Sequence, residues 1–184
     1  MILDPQATVT DLYNVPDNGK AELVNGELVL MMPTGGVPSR TSGKIYRSLD
    51  DYEQQTGSGY AFPDNAGFLV NLPHRRSFSP DAAFYIGTLS GGQFLSGAPV
   101  FAVEVRSEND YGAVADQDIA DKRADYFAAG TLVVWDVDVL RSGEVRAYRA
   151  DAPHSPTIFR RGDIANAEPA LPGWTLPVDT FMPP

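Results

Sequence analysis

Apolar and polar positions along the chain switch between two periods, and the switches mark out its elements. Apolar-rich runs flank Asn25-Gly26 in KAELVNGELVLMM. Both central residues of a type I′ turn need positive φ, and Asn-Gly tolerates that best, so the segment predicts a β-hairpin. From Pro38 to Gln55 the period lengthens: Ile45, Leu49 and Tyr52 recur at +4 and +3, which is one face of a helix. Arg40, Lys44 and Arg47 recur at the same spacing on roughly the opposite face. Residues 8–14 predict a short helix capped by Thr8 or Thr10.

Short strands are expected at Tyr60–Pro63, Gly67–Leu72 and Asp81–Ile86. PVFAVEVRS (Pro99–Ser107) and TLVVWDVDV (Thr131–Val139) are nearly continuous in apolar and β-branched residues, as buried strands are. Between them a helix is expected from Asp116 to Ala129, closed by Gly130. A Ser142-Gly143 turn leads into a last strand, Glu144–Arg149. Helices interleave with strands, but many strands are close in sequence. This pattern predicts an α+β (mixed α/β) fold with a mixed central sheet. With 184 residues and no repeat, a single domain is expected over 1–184, with a Pro-rich, loosely packed tail at 168–184.

Composition narrows the chemistry. The 24 acidic residues exceed the 14 basic ones, for a net charge of −10, which excludes a polybasic coat for nucleic acid and disfavours an anionic membrane surface. There are no cysteines and only two histidines, His74 and His154. Thiolate metal sites, disulfides and three-histidine zinc sites are therefore excluded. The opening residues lack the pattern of a signal peptide, and no run approaches a membrane span, so a cytoplasmic location is expected.

Three residues strain a purely structural reading. Glu104 interrupts an apolar strand, where a carboxylate costs several kcal/mol unless paired, protonated or metal-bound. Asp81 follows Pro80 at a strand start, where it could equally serve the turn. If the two strands are neighbours, the carboxylates converge, and converging carboxylates call for a cation between them. Lys122 shares a helical stripe with Ile119 and Tyr126. Its stem could simply snorkel, or its ammonium could reach into a site. Glu22, in the first hairpin strand, reads by itself as an exposed strand residue.

Taken in order, Pro80-Asp81, Glu104-Val105-Arg106-Ser107, Lys122, Tyr126, Gly130 and Trp135-Asp136-Val137 resemble the PD-(D/E)XK nuclease superfamily, and within it the Uma family of restriction-endonuclease-like proteins. ELVNGELVLMMP (Glu22–Pro33) is similar to that family's N-terminal hairpin. The resemblance implies a restriction-endonuclease-like mixed sheet flanked by helices. It implies Asp81 and Glu104 as metal ligands, Glu22 as a further acid near the site, and Lys122 in the place of the motif lysine, moved from strand to helix. Two departures stand out. Arg106 occupies the usual lysine position and, always protonated, is a poor general base. The family's His after its Met-x-Pro segment is missing, with Pro38 near the matching place.

The activity implied is Mg²⁺- or Mn²⁺-dependent hydrolysis of DNA phosphodiesters. Asp81, Glu104 and the Val105 carbonyl would bind the metal, and Lys122 would orient a water. Arg40, Lys44 and Arg47 would contact the DNA backbone, with Arg106 set to stabilise phosphate charge and Arg75-Arg76 as a weaker second patch. A solvated helix face explains the Arg40 stripe equally well. Net charge predicts weak, salt-sensitive DNA binding. The competing reading is a catalytically inactive homo-oligomeric module, most simply a dimer, on the same fold. A paired-carboxylate glycosidase is a third class, disfavoured by the short chain.

Overall fold

A computed structural model describes residues 6–15, 19–89 and 91–183. Both ends of the expected domain, residues 1–5 and Pro184, fall outside them. The chain opens with α1 (Val9–Tyr13), capped at Thr8, whose hydroxyl accepts from the Asp11 N–H. The hairpin strands β1 (Ala21–Val24) and β2 (Glu27–Leu30) pair antiparallel around Asn25 and Gly26, with φ of 52° and 75°, as the Asn-Gly pair predicted. The long helix α2 (Gly36–Thr56) follows, then β3 (Tyr60–Pro63), β4 (Phe68–Leu69), β5 (Ser77–Phe78), β6 (Ala82–Tyr85), β7 (Leu95–Ser96) and β8 (Phe101–Val105). Next come α3 (Ala113–Ala128), β9 (Val133–Asp138), β10 (Glu144–Arg149), β11 (Ala152–Phe159), β12 (Ile164–Asn166), β13 (Thr175–Pro177) and α4 (Val178–Phe181).

Six strands form the central sheet in the order β11-β10-β9-β8-β6-β3. Only β8 and β9 pair in parallel, and α3 is the crossover that joins them. The other neighbours are antiparallel. The sheet is therefore mixed, as the spacing of helices and strands implies. Among the described residues, no helix is long and apolar enough to cross a membrane.

Alternation along β8 and β9 divides the core between the sheet's two faces. Phe101, Val103, Val105, Trp135 and Val137 pack with Ile45 and Leu49 of α2 and with the C-terminal segment. Ala102 and Val134, on the other face, pack with Phe68, Phe78 and Tyr126. Glu104 shares this second face with Ala102, so the face that carries the acid is the one under α3.

The C-terminal segment is not a loose tail. Leu171 is 1% exposed, and Trp174 and Phe181 are buried. The Trp174 ring centroid lies 5.2 Å from that of Trp135, and the Thr41 hydroxyl of α2 donates to the Phe181 carbonyl. Its prolines alternate with large apolar residues that finish the α2 side of the core.

Candidate active site

Asp81 precedes Ala82 on β6, Ala82 pairs with Val103 on β8, and Glu104 follows Val103. The two expected carboxylates thus stand on adjacent strands. Asp81 also binds the strand it faces: its Oδ2 accepts from the Val105 N–H at 2.8 Å, and its own N–H donates to the Val103 carbonyl. Pro80 leaves no competing N–H just upstream.

The hairpin brings in Glu22. Leu23 N–H donates to the Ser77 hydroxyl and Arg76 N–H to the Leu23 carbonyl, so β1 is fastened along the segment around β5. Glu22 is buried there, with its side chain 4% exposed. Its Oε1 accepts from the Ser79 N–H at 2.8 Å and its Oε2 from Arg75 at 2.6 Å. The reading of Glu22 as an exposed strand residue is thereby corrected. Strand alternation gives two faces but does not say which one another segment will cover.

Lys122 reaches in from α3. Its Nζ lies 2.9 Å from Glu104 Oε1 and 3.0 Å from Glu22 Oε1, with the side chain 19% exposed. It does not snorkel; it bridges two acids. One turn on, the Tyr126 hydroxyl donates to the same Glu104 oxygen at 2.7 Å. The Tyr126 ring stacks on Phe78 with centroids 4.0 Å apart, and that stacking holds α3 over the site.

Lys20, Asp64, Asp125 and His74 complete the cluster. The Lys20 ammonium lies 3.1 Å from Asp81 and 2.6 Å from Asp64. Arg75 Nε donates to Asp125 at 2.7 Å, and His74 Nε2 lies 2.7 Å from the other Asp125 oxygen. An unbroken polar chain therefore runs from His74 through Asp125, Arg75 and Glu22 to Lys122 and Glu104. Lys20 and Asp125 left a signal in the sequence. Lys20 is two residues from Glu22 along the strand direction, and Asp125 is three from Lys122 on the helix. Arg75 left none, because its partners are 53 and 50 residues away.

The surroundings drive the two glutamates apart. Burial raises the Glu22 pKa, but Lys122, Arg75 and the Ser79 N–H outweigh it and hold the carboxyl below the usual value. Burial also raises Glu104; Lys122 opposes this, while Asp81 and Glu22 add repulsion, and the net shift is upward. Burial favours a neutral Lys122, yet Glu104 and Glu22 together keep it protonated well beyond its ordinary range. In this state Lys122 is a hydrogen-bond donor and not a base.

Among the described residues, no three or more His, Asp or Glu side chains are grouped to hold a metal ion. A hard cation such as Mg²⁺ usually takes only one or two carboxylates, completing its shell with water and substrate oxygens. Asp81 and Glu104 fit that smaller requirement. Among the described residues, no hydrogen bond reaches Glu104 Oε2, and its side chain is 23% exposed. Both Asp81 oxygens are also engaged, by Lys20 and the Val105 N–H, but its side chain is 15% exposed. Glu22 does not fit, since its oxygens are held by Arg75, Lys122 and the Ser79 N–H in a pocket that leaves the side chain only 4% exposed. Val105 meets the site through its N–H on Asp81.

The expected DNA contacts are placed differently. Arg106 is on the Glu104 side of the sheet, as period 2 requires. However, its guanidinium donates to both Asp136 oxygens at 2.7 and 2.8 Å and to Asp116 at 2.6 Å. Its side chain is only 10% exposed, so Arg106 ties β9 and α3 to the end of β8 and is not available to a phosphate. Arg75 is likewise buried between Glu22 and Asp125. Arg40 and Arg47 are exposed and Lys44 is half-buried, but α2 packs on the opposite face of the sheet from Glu104. The sheet separates that stripe from the carboxylates. Arg76 is exposed on the hairpin side.

Residues 8–179 match the Uma2 family, described as "Putative restriction endonuclease". Among solved structures, a "putative nuclease belonging to DUF820" from Anabaena variabilis superposes with a TM-score of 0.75. The match covers 95% of this chain and 97% of that one at 15% identity, which shows a shared fold. No curated protein matches.

Proposed function

The chain belongs to the Uma2 family of restriction-endonuclease-like proteins, and from that premise we propose that it is a metal-dependent nuclease hydrolysing DNA phosphodiester bonds. The observation that carries the reading is the meeting of Asp81, Glu104 and Lys122 on one face of the sheet, with Lys122 2.9 Å from Glu104. Asp81 and Glu104 would hold Mg²⁺ or Mn²⁺, with the Val105 carbonyl as a third ligand. Bound there, the ion would supply an acidified water and neutralise charge on the phosphate.

The chain's own residues do the rest. Glu22, fixed by Arg75 and the Ser79 N–H, holds the Lys122 ammonium from behind. Lys122 then presents its remaining N–H to a water or to a phosphate oxygen. Tyr126 fixes the rotamer of Glu104, leaving Oε2 outward. Arg76 is the exposed cation nearest this network in the chain, and one such charge implies weak, salt-sensitive binding of nucleic acid.

The test is plasmid cleavage with Mg²⁺ or Mn²⁺, comparing wild type with Asp81→Ala and Glu104→Ala. Cleavage lost in both variants supports the reading, and cleavage unchanged in both rejects it. One observation favours an inactive module on the same fold: the Lys122 ammonium already pairs with both Glu22 and Glu104, as a purely structural ion pair would. Absence of cleavage together with absence of metal binding would select that alternative.

A further inference from the structure

The Lys20 ammonium sits between two carboxylates, 2.6 Å from Asp64 Oδ1 and 3.1 Å from Asp81 Oδ1. Asp64 is just past the end of β3 and Asp81 just before β6, and these strands pair antiparallel with Pro63 opposite Ala82. The two acids are therefore brought together by the sheet, and Lys20 is delivered to them from the base of the hairpin. The side chain is 16% exposed, so the charge is partly shielded from water and its interactions are strengthened.

Two-cation phosphodiesterase sites share one carboxylate between the ions, which then clamp the attacking and leaving oxygens. Asp81 occupies such a shared position. On one side it has Glu104, the second proposed metal ligand; on the other it has Lys20 and Asp64. We propose that the Lys20 ammonium is a permanent second cation of the site, tethered by Asp64 and Asp81 in the place that a second metal ion would take. This inference rests on the nuclease reading for the first ion. It gives the protein a one-metal site whose second positive charge is covalently attached.

Calorimetric titration of Mn²⁺ in the absence of nucleic acid tests the idea on metal stoichiometry. Wild type is expected to take one ion per chain, and Lys20→Ala two, because the vacated carboxylate pair takes the second. Adding Asp64→Asn to Lys20→Ala should return the count to one. If Lys20→Ala binds the same number of ions as wild type, or wild type binds two, the Lys20 role is overturned while the nuclease reading stands. If wild type binds none, the metal part of the nuclease reading fails. The Lys20 role is then decided by whether Lys20→Ala gains an ion or remains without one. Lys20→Ser serves as the second variant if the alanine protein does not fold, as judged by its thermal unfolding.

Discussion

Lys122 Nζ is 2.9 Å from Glu104 Oε1, and this contact joins the acid that interrupts apolar β8 to the crossover helix that covers it. The same ammonium is 3.0 Å from Glu22. One cation thus neutralises charge from the hairpin, the central sheet and, through Glu104, the region beside Asp81.

Removing that cation should be costly. Lys122→Met keeps the apolar stem but strands two acids in a pocket with little water. Loss of one partner of a buried ion pair destabilises by about 3 kcal/mol. Urea unfolding without divalent metal should show a loss of that order. On the nuclease reading, cleavage should fall as well, because the donor proposed to orient the water is gone. A loss below about 0.5 kcal/mol would mean the two acids are solvated well enough to do without it.

Glu104 should behave in the opposite way. Its pKa is raised, first by burial and then by Asp81 and Glu22, so ionisation costs stability above the carboxyl's unperturbed range and lowering the pH relieves that cost. Glu104→Gln removes the charge and can still accept from Tyr126. Its metal-free stability at neutral pH should match or exceed wild type, while cleavage falls by about a hundredfold or more. A clear drop in melting temperature without metal would instead assign Glu104 a structural role.

The acid limb of the stability curve has an identifiable contributor in Asp138. Burial raises its pKa, but the Tyr111 hydroxyl, the Arg141 and Ser142 N–H groups and the Ser142 hydroxyl bring it down to about 2 from 3.8. A depressed carboxyl stabilises the fold above its unfolded pKa, and the contribution disappears as pH falls through the folded value. The shift corresponds to about 2 kcal/mol. The stability difference between wild type and Asp138→Asn should therefore shrink by that order between about pH 4 and pH 2. A difference constant over this window would show that Asp138 does not titrate this way.

The helix stripe yields a prediction of no effect. Arg40, Lys44 and Arg47 have no ion-pair partner among the described residues, and the sheet lies between them and Glu104. Replacing all three with alanine should change stability by less than about 0.5 kcal/mol each and leave the cleavage rate intact. Arg76→Ala should slow cleavage at moderate salt. The reverse outcome would mean that nucleic acid wraps the α2 side.

Much of the frame was legible in the sequence. Asn25-Gly26 fixed its hairpin because few residues accept positive φ, and β3 and β10 match the expected Tyr60–Pro63 and Glu144–Arg149. Asp81 and Glu104 could be singled out because a charge inside or beside an apolar run is anomalous by itself. Their surroundings were less legible. Period 2 put Arg106 on the correct face but could not reveal that Asp136, its neighbour across the parallel β8–β9 pair, would engage it. Helical period set the stripe of α2 but not the side of the sheet on which α2 packs, which depends on contacts far apart in sequence. The strand β11 went unseen because Pro153, His154 and Pro156 argue against a strand, and an edge position tolerates them.

The burial of Trp174 and Phe181 against Trp135 has a consequence for how the protein is made. Synthesis delivers the carboxylates and Lys122 well before the residues that cover the reverse of their sheet. Until the segment beyond Leu171 has left the ribosome, α2 alone covers Phe101 and Trp135, and the nascent chain carries a partly open aromatic surface. A chain interrupted before Leu171 is therefore expected to keep that surface open and to be a target for chaperones or proteases.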